Sequence, residues 1–141
     1  MMCSKFLPTS SLALMLLASP GFAETLMFSA DMKGASEVPP TDSGGTANAM
    51  VTLDTAAKKL AWKITYSGLT GEPTAAHFHG PAGPDANAGP AVNISGKIAE
   101  GTADLTDAQI TDLQAGKWYL NIHTAKFPDG EVRGQVELAK Q

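Results

Sequence analysis

The sequence predicts an all-β domain, built as a sandwich or barrel, with one short helix. Two observations lead to this class. Short segments in which apolar and polar side chains alternate recur along the chain, a pattern typical of half-buried strands. Turns that hold many of the 14 glycines and 9 prolines separate these segments, and no heptad repeat is present. Regular spacing of short strands favours a sandwich or a barrel.

Residues 1–23 are interpreted as a secretory signal peptide with cleavage after Ala23. Lys5 supplies a basic start, residues 11–18 form an apolar run, and small residues precede the cleavage site. The run is too short for a transmembrane helix. Cys3 precedes the run rather than following it, which disfavours a lipoprotein anchor. We therefore expect a periplasmic or secreted protein with no membrane attachment after cleavage.

The mature domain is predicted to span residues 24–141, long enough to bury one core. Loss of Cys3 leaves it without cysteine, so disulfides and thiolate-type zinc sites are excluded. Without the signal peptide, which contains one lysine and no acidic residue, nine basic residues face fourteen acidic ones, a net charge of −5. This sign argues against nucleic acid or anionic membrane as a partner, and it is compatible with a bound cation.

Seven strands are predicted from the alternation. They cover residues 25–30, 46–53, 60–66, the segment around 74–79, 91–98, 118–124 and 131–138. Tyr66 is expected to face the core with the other apolar residues of the third strand, and Leu138 with those of the last. Asp129 followed by glycine marks a hairpin turn before the last strand.

One helix is predicted after Leu105. Thr106 is expected to cap its N-terminus, and Gln109, three residues later, completes a capping box. Gly116 is expected to end it, because glycine adopts the left-handed conformation that closes many helices.

The three histidines of the chain are the candidate functional residues. His77 and His79 lie one residue apart in an alternating segment, so both face one side of a strand, and Phe78 faces the other. His123 lies on the polar side of Trp-Tyr-Leu-Asn-Ile-His-Thr at 118–124. If these two strands are close in one sheet, the three imidazoles converge on its polar face.

A set of three imidazoles suits copper, zinc or nickel and leaves one coordination position open. We expect copper, with zinc as the alternative, because the compartment is oxidising, copper leads the affinity order and thiolates are absent. Asn121 and Glu131 are candidates for holding a ligand tautomer or for a fourth ligand. Met27 and Met50 are weaker candidates as thioether ligands.

The competing interpretation is structural. The histidines then form hydrogen bonds with loop backbone and with one another, and bind no metal. Glu131 and Arg133, two residues apart, similarly form either a solvated ion pair of little energetic value or a pair that steers an anion to the metal.

Four blocks of the sequence resemble the CHRD domain family, named after chordin. They are Glu-Val-Pro-Pro at 37–40, a segment with His-x-His-Gly-Pro at 74–81, Leu-x-x-Gly with Tyr-x-Asn-x-His-Thr at 113–124, and Gly-Glu-Val-Arg-Gly-Gln at 130–135. The resemblance implies a Greek-key β-sandwich, immunoglobulin-like or superoxide-dismutase-like, in a small secreted bacterial member. Chordin itself antagonises growth factors, a role that a lone bacterial domain need not share.

The histidine pattern by itself is similar to the copper sites of copper,zinc superoxide dismutase and of cupredoxin-like proteins. We therefore expect a copper-binding protein for sequestration, delivery or electron transfer. The alternatives are a copper redox enzyme of the superoxide-dismutase type, and an adhesion or protein-binding module with structural histidines and an unknown partner. The enzyme is less expected because the sequence contains no second histidine cluster for a structural zinc.

Overall fold

The computed structural model describes residues 24–140. The predicted signal peptide, residues 1–23, lies outside the described residues. The described chain forms eight strands, one α-helix and a 3-10 turn. They are β1 (Thr25–Lys33), the 3-10 turn (Gly34–Ser36), β2 (Thr46–Asp54), β3 (Lys59–Ser67), β4 (Pro73–His79), β5 (Pro90–Asn93), β6 (Glu100–Asp104), α1 (Asp107–Gln114), β7 (Trp118–Thr124) and β8 (Val132–Leu138).

All eight strands join one antiparallel, nearly closed sheet in the order β5-β4-β7-β8-β1-β2-β3-β6. The predicted all-β class with one short helix is confirmed. Although β3 and β4 lie near opposite ends of this order, the rings of Trp62 and Phe78 meet at a centroid distance of 5.7 Å. The two layers of the sandwich are therefore the two halves of one curled sheet.

The core lies between these halves and follows the alternation of the strands. Phe78 is fully buried and packs against both Trp62 and Trp118, the latter at a centroid distance of 5.8 Å. Removing an aromatic side chain from such a position costs about 3–5 kcal/mol. Because Phe78 is anchored in the core, its neighbours in β4 are held on the opposite, outer face of the sheet.

One predicted strand is much shorter than expected, and one strand was not predicted. The strand predicted at 91–98 ends at Asn93, because Asn93 Oδ1 accepts hydrogen bonds from the backbone N–H of Ser95 at 3.0 Å and from its hydroxyl at 2.6 Å and turns the chain. Strand β6 was not predicted, since Glu-Gly-Thr-Ala-Asp shows no apolar alternation. It exists because it pairs with β3.

Two residues expected in the core are exposed. Tyr66 is 41% exposed and Leu138 is 56% exposed. The pairing of β3 with β6 stops at Lys63, and that of β8 with β7 stops at Val136, so each residue has a paired strand on one side only. The last strand also begins at Val132, one residue later than predicted.

The helix agrees with its prediction. The side chain of Thr106 accepts a hydrogen bond from the Gln109 backbone N–H, and the Gln109 side chain accepts one from the backbone N–H of Thr106. Gly116 has a φ of +73° just after the helix, as a C-terminal glycine should. Within residues 24–140, no helix has the length and apolar character needed to cross a membrane.

Candidate metal centre

Strands β4 and β7 are neighbours in the sheet and carry the three histidines. Their antiparallel register places His77 opposite Asn121. His79 and His123 each lie two residues further along their own strand, on the same face. The predicted convergence of the three rings is therefore present, on the outer face of the sheet, while Phe78 lies on the core side.

The ring nitrogens are close to the spacing that one ion requires. One nitrogen from each histidine lies within 4.8 Å of the other two, and His77 Nδ1 lies 3.2 Å from His123 Nε2. Nitrogens bound to one zinc or copper ion at about 2.0–2.1 Å can be no more than about 4 Å apart. A small inward rotation of the rings therefore allows all three to bind one ion.

Backbone carbonyls determine which nitrogens are available. His79 Nδ1 lies 2.9 Å from the carbonyl oxygen of Ala88, and His123 Nδ1 lies 2.8 Å from that of Pro128. A carbonyl only accepts, so these nitrogens carry the hydrogen, and a neutral ring then has a free lone pair on Nε2. Ligand histidines in metalloproteins usually donate their second nitrogen in this way.

The side chain of Asn121 completes the cluster. Its Oδ1 lies 2.8 Å from His79 Nε2 and 3.0 Å from His123 Nε2, and the residue is only 3% exposed. When both rings are neutral and donate Nδ1–H to their carbonyls, this oxygen faces two nitrogen lone pairs. A cation at the centre stabilises such a group of acceptor atoms, since it attracts each of them.

Burial favours the neutral, metal-binding form of two histidines. Desolvation lowers the pKa of His77 below its ordinary value of 6.5, and the neighbouring charges of His123 and His79 lower it further. Desolvation also lowers the pKa of His79, with further lowering by the His123 and Arg133 charges. The hydrogen bonds of His79 to Ala88 and Asn121 oppose this shift only in part.

A stack of side chains supports His79 from one side. The rings of His79 and Tyr119 are parallel, with an interplanar angle of 2° and a centroid distance of 4.7 Å. The guanidinium carbon of Arg133 lies 3.5 Å from the centre of the Tyr119 ring. The Tyr119 hydroxyl also bonds to the backbone of Ala88, the residue whose carbonyl accepts from His79.

Arg133 has a role different from either of those predicted. It is 1% exposed, so it forms no solvated ion pair on the surface. Its guanidinium donates to the carbonyls of Gly83 and Ala86 and to the side chain of Asn87. These bonds hold the 80–90 loop over the histidines. They also engage the Arg133 guanidinium, which was expected to steer an anion to the metal.

Glu131 is not brought to the histidines by any of its hydrogen bonds. Its carboxylate accepts from Thr70, Ser43 and Thr124, and Thr124 lies on the face of β7 opposite to His123. Burial raises the pKa of Glu131, but these hydrogen bonds outweigh that effect and the net shift is downward. Glu131 therefore joins loops to the sheet as a carboxylate.

The two methionines lie far from the cluster. Lys33 pairs with Arg133, which pairs with Asn121, so these three residues are level across the sheet. Met27 is six residues further along β1, about 20 Å away at the rise of a strand. Met50 is on β2, one strand further from β7. Neither thioether is brought to the three ring nitrogens.

Sequence reasoning missed Glu37, which is 6% exposed and lies beside the amide of Asn121. Burial raises the pKa of this carboxyl from 4.5 to about 7, and the Arg133 charge and the Asn121 amide offset the rise only in part. Its position in an irregular loop carries no periodic signal. Tyr119 had a signal that was not used, since it shares its strand face with Asn121 and His123.

The comparison with known families agrees with the resemblance. The CHRD domain family matches residues 28–136, a range that includes the three histidines, Asn121 and Glu37. No solved structure matches the chain.

Proposed function

We propose that this chain, which belongs to the CHRD domain family, binds a single copper ion through His77, His79 and His123 in the periplasm or outside the cell. Its role would be copper sequestration, delivery or electron transfer. The observation that supports this proposal most is the meeting of three ring nitrogens within 4.8 Å. Two of the rings are already held by backbone carbonyls in the tautomer that leaves Nε2 free.

Copper is preferred to zinc on the chemistry of the donors. Three imidazoles and a carbonyl oxygen suit either divalent ion, and copper(II) binds such donors more tightly than zinc. Structural zinc sites usually contain thiolates, and the chain's one cysteine, Cys3, falls in the predicted signal peptide. Zinc remains the alternative metal, and a competition between the two ions decides between them.

The test is a titration of the purified protein with Cu(II), Cu(I) and Zn(II) by calorimetry, with electron paramagnetic resonance of the Cu(II) form. His77→Gln is the sharpest variant, because neither ring nitrogen of His77 bonds to a backbone carbonyl of the described chain and the substitution leaves the loops in place. We expect one Cu(II) ion per chain, nitrogen hyperfine structure, and at least a hundredfold loss of affinity in this variant.

A matched control separates ligand loss from general effects. Met27→Leu combined with Met50→Leu removes two half-exposed side chains with potential copper-binding sulfur, far from the histidines. It should bind Cu(II) like wild type. Wild-type protein that binds neither Cu(II) nor Zn(II) would overturn the proposal.

A structural role is the second candidate, and one observation favours it. The bonds from His79 to Ala88 and from His123 to Pro128, together with the His77–His123 contact, join the sheet to two loops without any metal. This function predicts that His123→Gln lowers the free energy of unfolding and that added copper does not change it. Metal binding predicts instead that copper raises the wild-type value.

Turnover separates the copper protein from the alternative copper redox enzyme of the superoxide-dismutase type. His77 is only partly buried, so a small oxidant can approach the cluster. Copper-loaded protein is assayed for superoxide dismutation beside free copper and copper-loaded His77→Gln. We expect no activity above the free ion.

A further inference from the structure

Glu37 is a buried carboxyl group whose position calls for an explanation. It is 6% exposed, and its Oε1 makes no hydrogen bond that meets normal geometry among residues 24–140. Buried carboxylates are usually paired or hydrogen-bonded, because leaving water otherwise costs several kcal/mol. A group retained in such a place frequently serves a site next to it.

The carboxyl group of Glu37 and the amide nitrogen of Asn121 share one small space beside Gly130. A Cβ atom added to Gly130 would lie 2.6 Å from Glu37 Oε1 and 2.6 Å from Asn121 Nδ2. Gly130 also has a φ of +124°, a conformation that other residues rarely adopt. A glycine here therefore leaves room for the carboxyl group to lie against the amide.

This contact determines which end of the Asn121 amide faces the histidines. With Nδ2 toward Glu37, Oδ1 lies 2.8 Å from His79 Nε2 and 3.0 Å from His123 Nε2. With Glu37 as a carboxylate, a flipped amide would place Oδ1 against a carboxylate oxygen, acceptor against acceptor, and would turn its N–H groups toward the ring nitrogens. Those N–H groups have no lone pair to offer an ion.

We propose that Glu37 is a positioning residue that, through Asn121, supplies an amide oxygen as the fourth donor and makes the site prefer Cu(II) to Cu(I). The inference rests on the proposed copper site. An amide oxygen is a hard donor that suits divalent ions, whereas Cu(I) is selected by soft sulfur donors. Three imidazoles alone discriminate less between the two oxidation states, so the oxygen determines the preference.

The experiment compares Cu(II) and Cu(I) affinities of wild type, Glu37→Gln and the double variant Glu37→Gln/Asn121→Asp. In Glu37→Gln the amide is free to flip, and we expect Cu(II) affinity to fall about ten- to a hundredfold with Cu(I) affinity changed by less than about threefold. In the double variant a carboxylate offers oxygen in either orientation, so Cu(II) affinity and the paramagnetic resonance spectrum should return toward wild type.

Glu72→Gln is the matched control, since it removes the same charge from an exposed position and should change neither affinity. Equal losses for Cu(II) and Cu(I) in Glu37→Gln, or no recovery in the double variant, would overturn the inference. A merely structural glutamate would not be rescued by placing the carboxylate on residue 121.

Metal-free protein separates failure of this inference from failure of the copper site. Nuclear Overhauser contacts from the Asn121 Nδ2 protons to Gly130 report the amide orientation without any metal. At alkaline pH, with Glu37 as a carboxylate, we expect them in wild type and expect them weakened in Glu37→Gln. Absence of these contacts in wild type would refute the positioning role even if copper binds. If wild type shows the contacts but binds no copper, the copper site is refuted, and the Cu(II) preference with it.

Discussion

The outer surface of the sheet has two regions that differ in their exposure to solvent. Over β1 and β2 the outward side chains are bare, and Met27 and Met50 are 50% and 58% exposed. On β4, β7 and the first part of β8, several polar outward side chains are covered, with His79 at 8%, Asn121 at 3% and Arg133 at 1% exposed. The strands have the same alternation in both regions.

Loops cause the difference. The 80–90 loop is held by Arg133, and the 125–130 turn accepts a hydrogen bond from His123 through Pro128. The 34–42 segment places Glu37 beside Asn121. Burying polar groups in this way is tolerated only where partners are supplied. A polar sheet face thus becomes a site when loops cover it and orient its donors and acceptors.

The largest effect should come from uncovering the polar region with Arg133→Ala. This change leaves two loop carbonyls and Asn87 without their donor and empties the space against Tyr119. We expect the free energy of unfolding to fall by about 4 kcal/mol in urea denaturation. Lys63→Ala, at an exposed position of β3 that pairs with Met50 of the bare region, should change it by less than about 0.5 kcal/mol. Similar losses in both variants would remove the distinction between the regions.

A smaller, pH-dependent effect is expected from Glu37→Gln. The pKa of Glu37 is about 7 in the folded protein and near its ordinary 4.5 when unfolded. The folded state therefore favours the protonated form, and wild type loses stability as pH rises from about 4.5 through about 7. We expect the glutamine variant to be up to about 3 kcal/mol more stable than wild type at pH 9.

At pH 4 both folded and unfolded Glu37 are protonated, so this gain should vanish there. Urea unfolding at the two pH values checks the prediction, with Glu72→Gln as the exposed control. The same gain at both pH values would show that the carboxyl charge is not the cause.

Acidification should weaken copper binding, because protons compete with the metal for the histidines of the covered region. Because burial lowers the pKa of His77 and of His79 from the ordinary value of 6.5, protons begin to compete with the metal only at a pH below that value. Below the lowered values, affinity should fall by about tenfold per pH unit for each ring that must lose a proton. Calorimetry from pH 8 down to the lowest pH at which the protein stays folded measures this, and an affinity that never falls over that range would contradict histidine ligation.

The smallest effect is expected in the bare region. Replacing Met27 and Met50 together by leucine should alter the free energy of unfolding by less than about 0.5 kcal/mol, because both side chains are half-exposed. Copper-loaded and metal-free protein are compared by urea denaturation. A loss confined to the loaded protein would show that a thioether reaches the metal.

Local patterns predicted the strands with clear alternation and the capped helix. Thr106, Gln109 and Gly116 form the helix ends expected of them. Alternation alone did not predict burial where a neighbouring strand decides it. Leu138 has the parity of a core residue, but no residue of β7 pairs with it. Strand β6 has no apolar alternation and is a strand because β3 pairs with it.

The candidate site shows the same division. Residue parity predicted that His77, His79 and His123 share a face, and adjacency of β4 and β7 was the condition that the fold had to meet. The partners of Glu131 and Arg133 could not be predicted, because they lie in loops distant in sequence, Thr70 for one and residues 83–87 for the other.

The amino-acid sequence by itself determined which side chains share a strand face, since alternation depends only on backbone geometry. It thereby determined that His77 and His79 share one face of their strand and that Asn121 and His123 share one face of theirs, and the pairing of β4 with β7 brought the two pairs together. Only the tertiary structure decided that loops cover this face, that backbone carbonyls hold two of the rings, and that a glutamate lies behind the amide. Such contacts involve residues as far apart in the sequence as Glu37 and Arg133, and no local pattern encodes them.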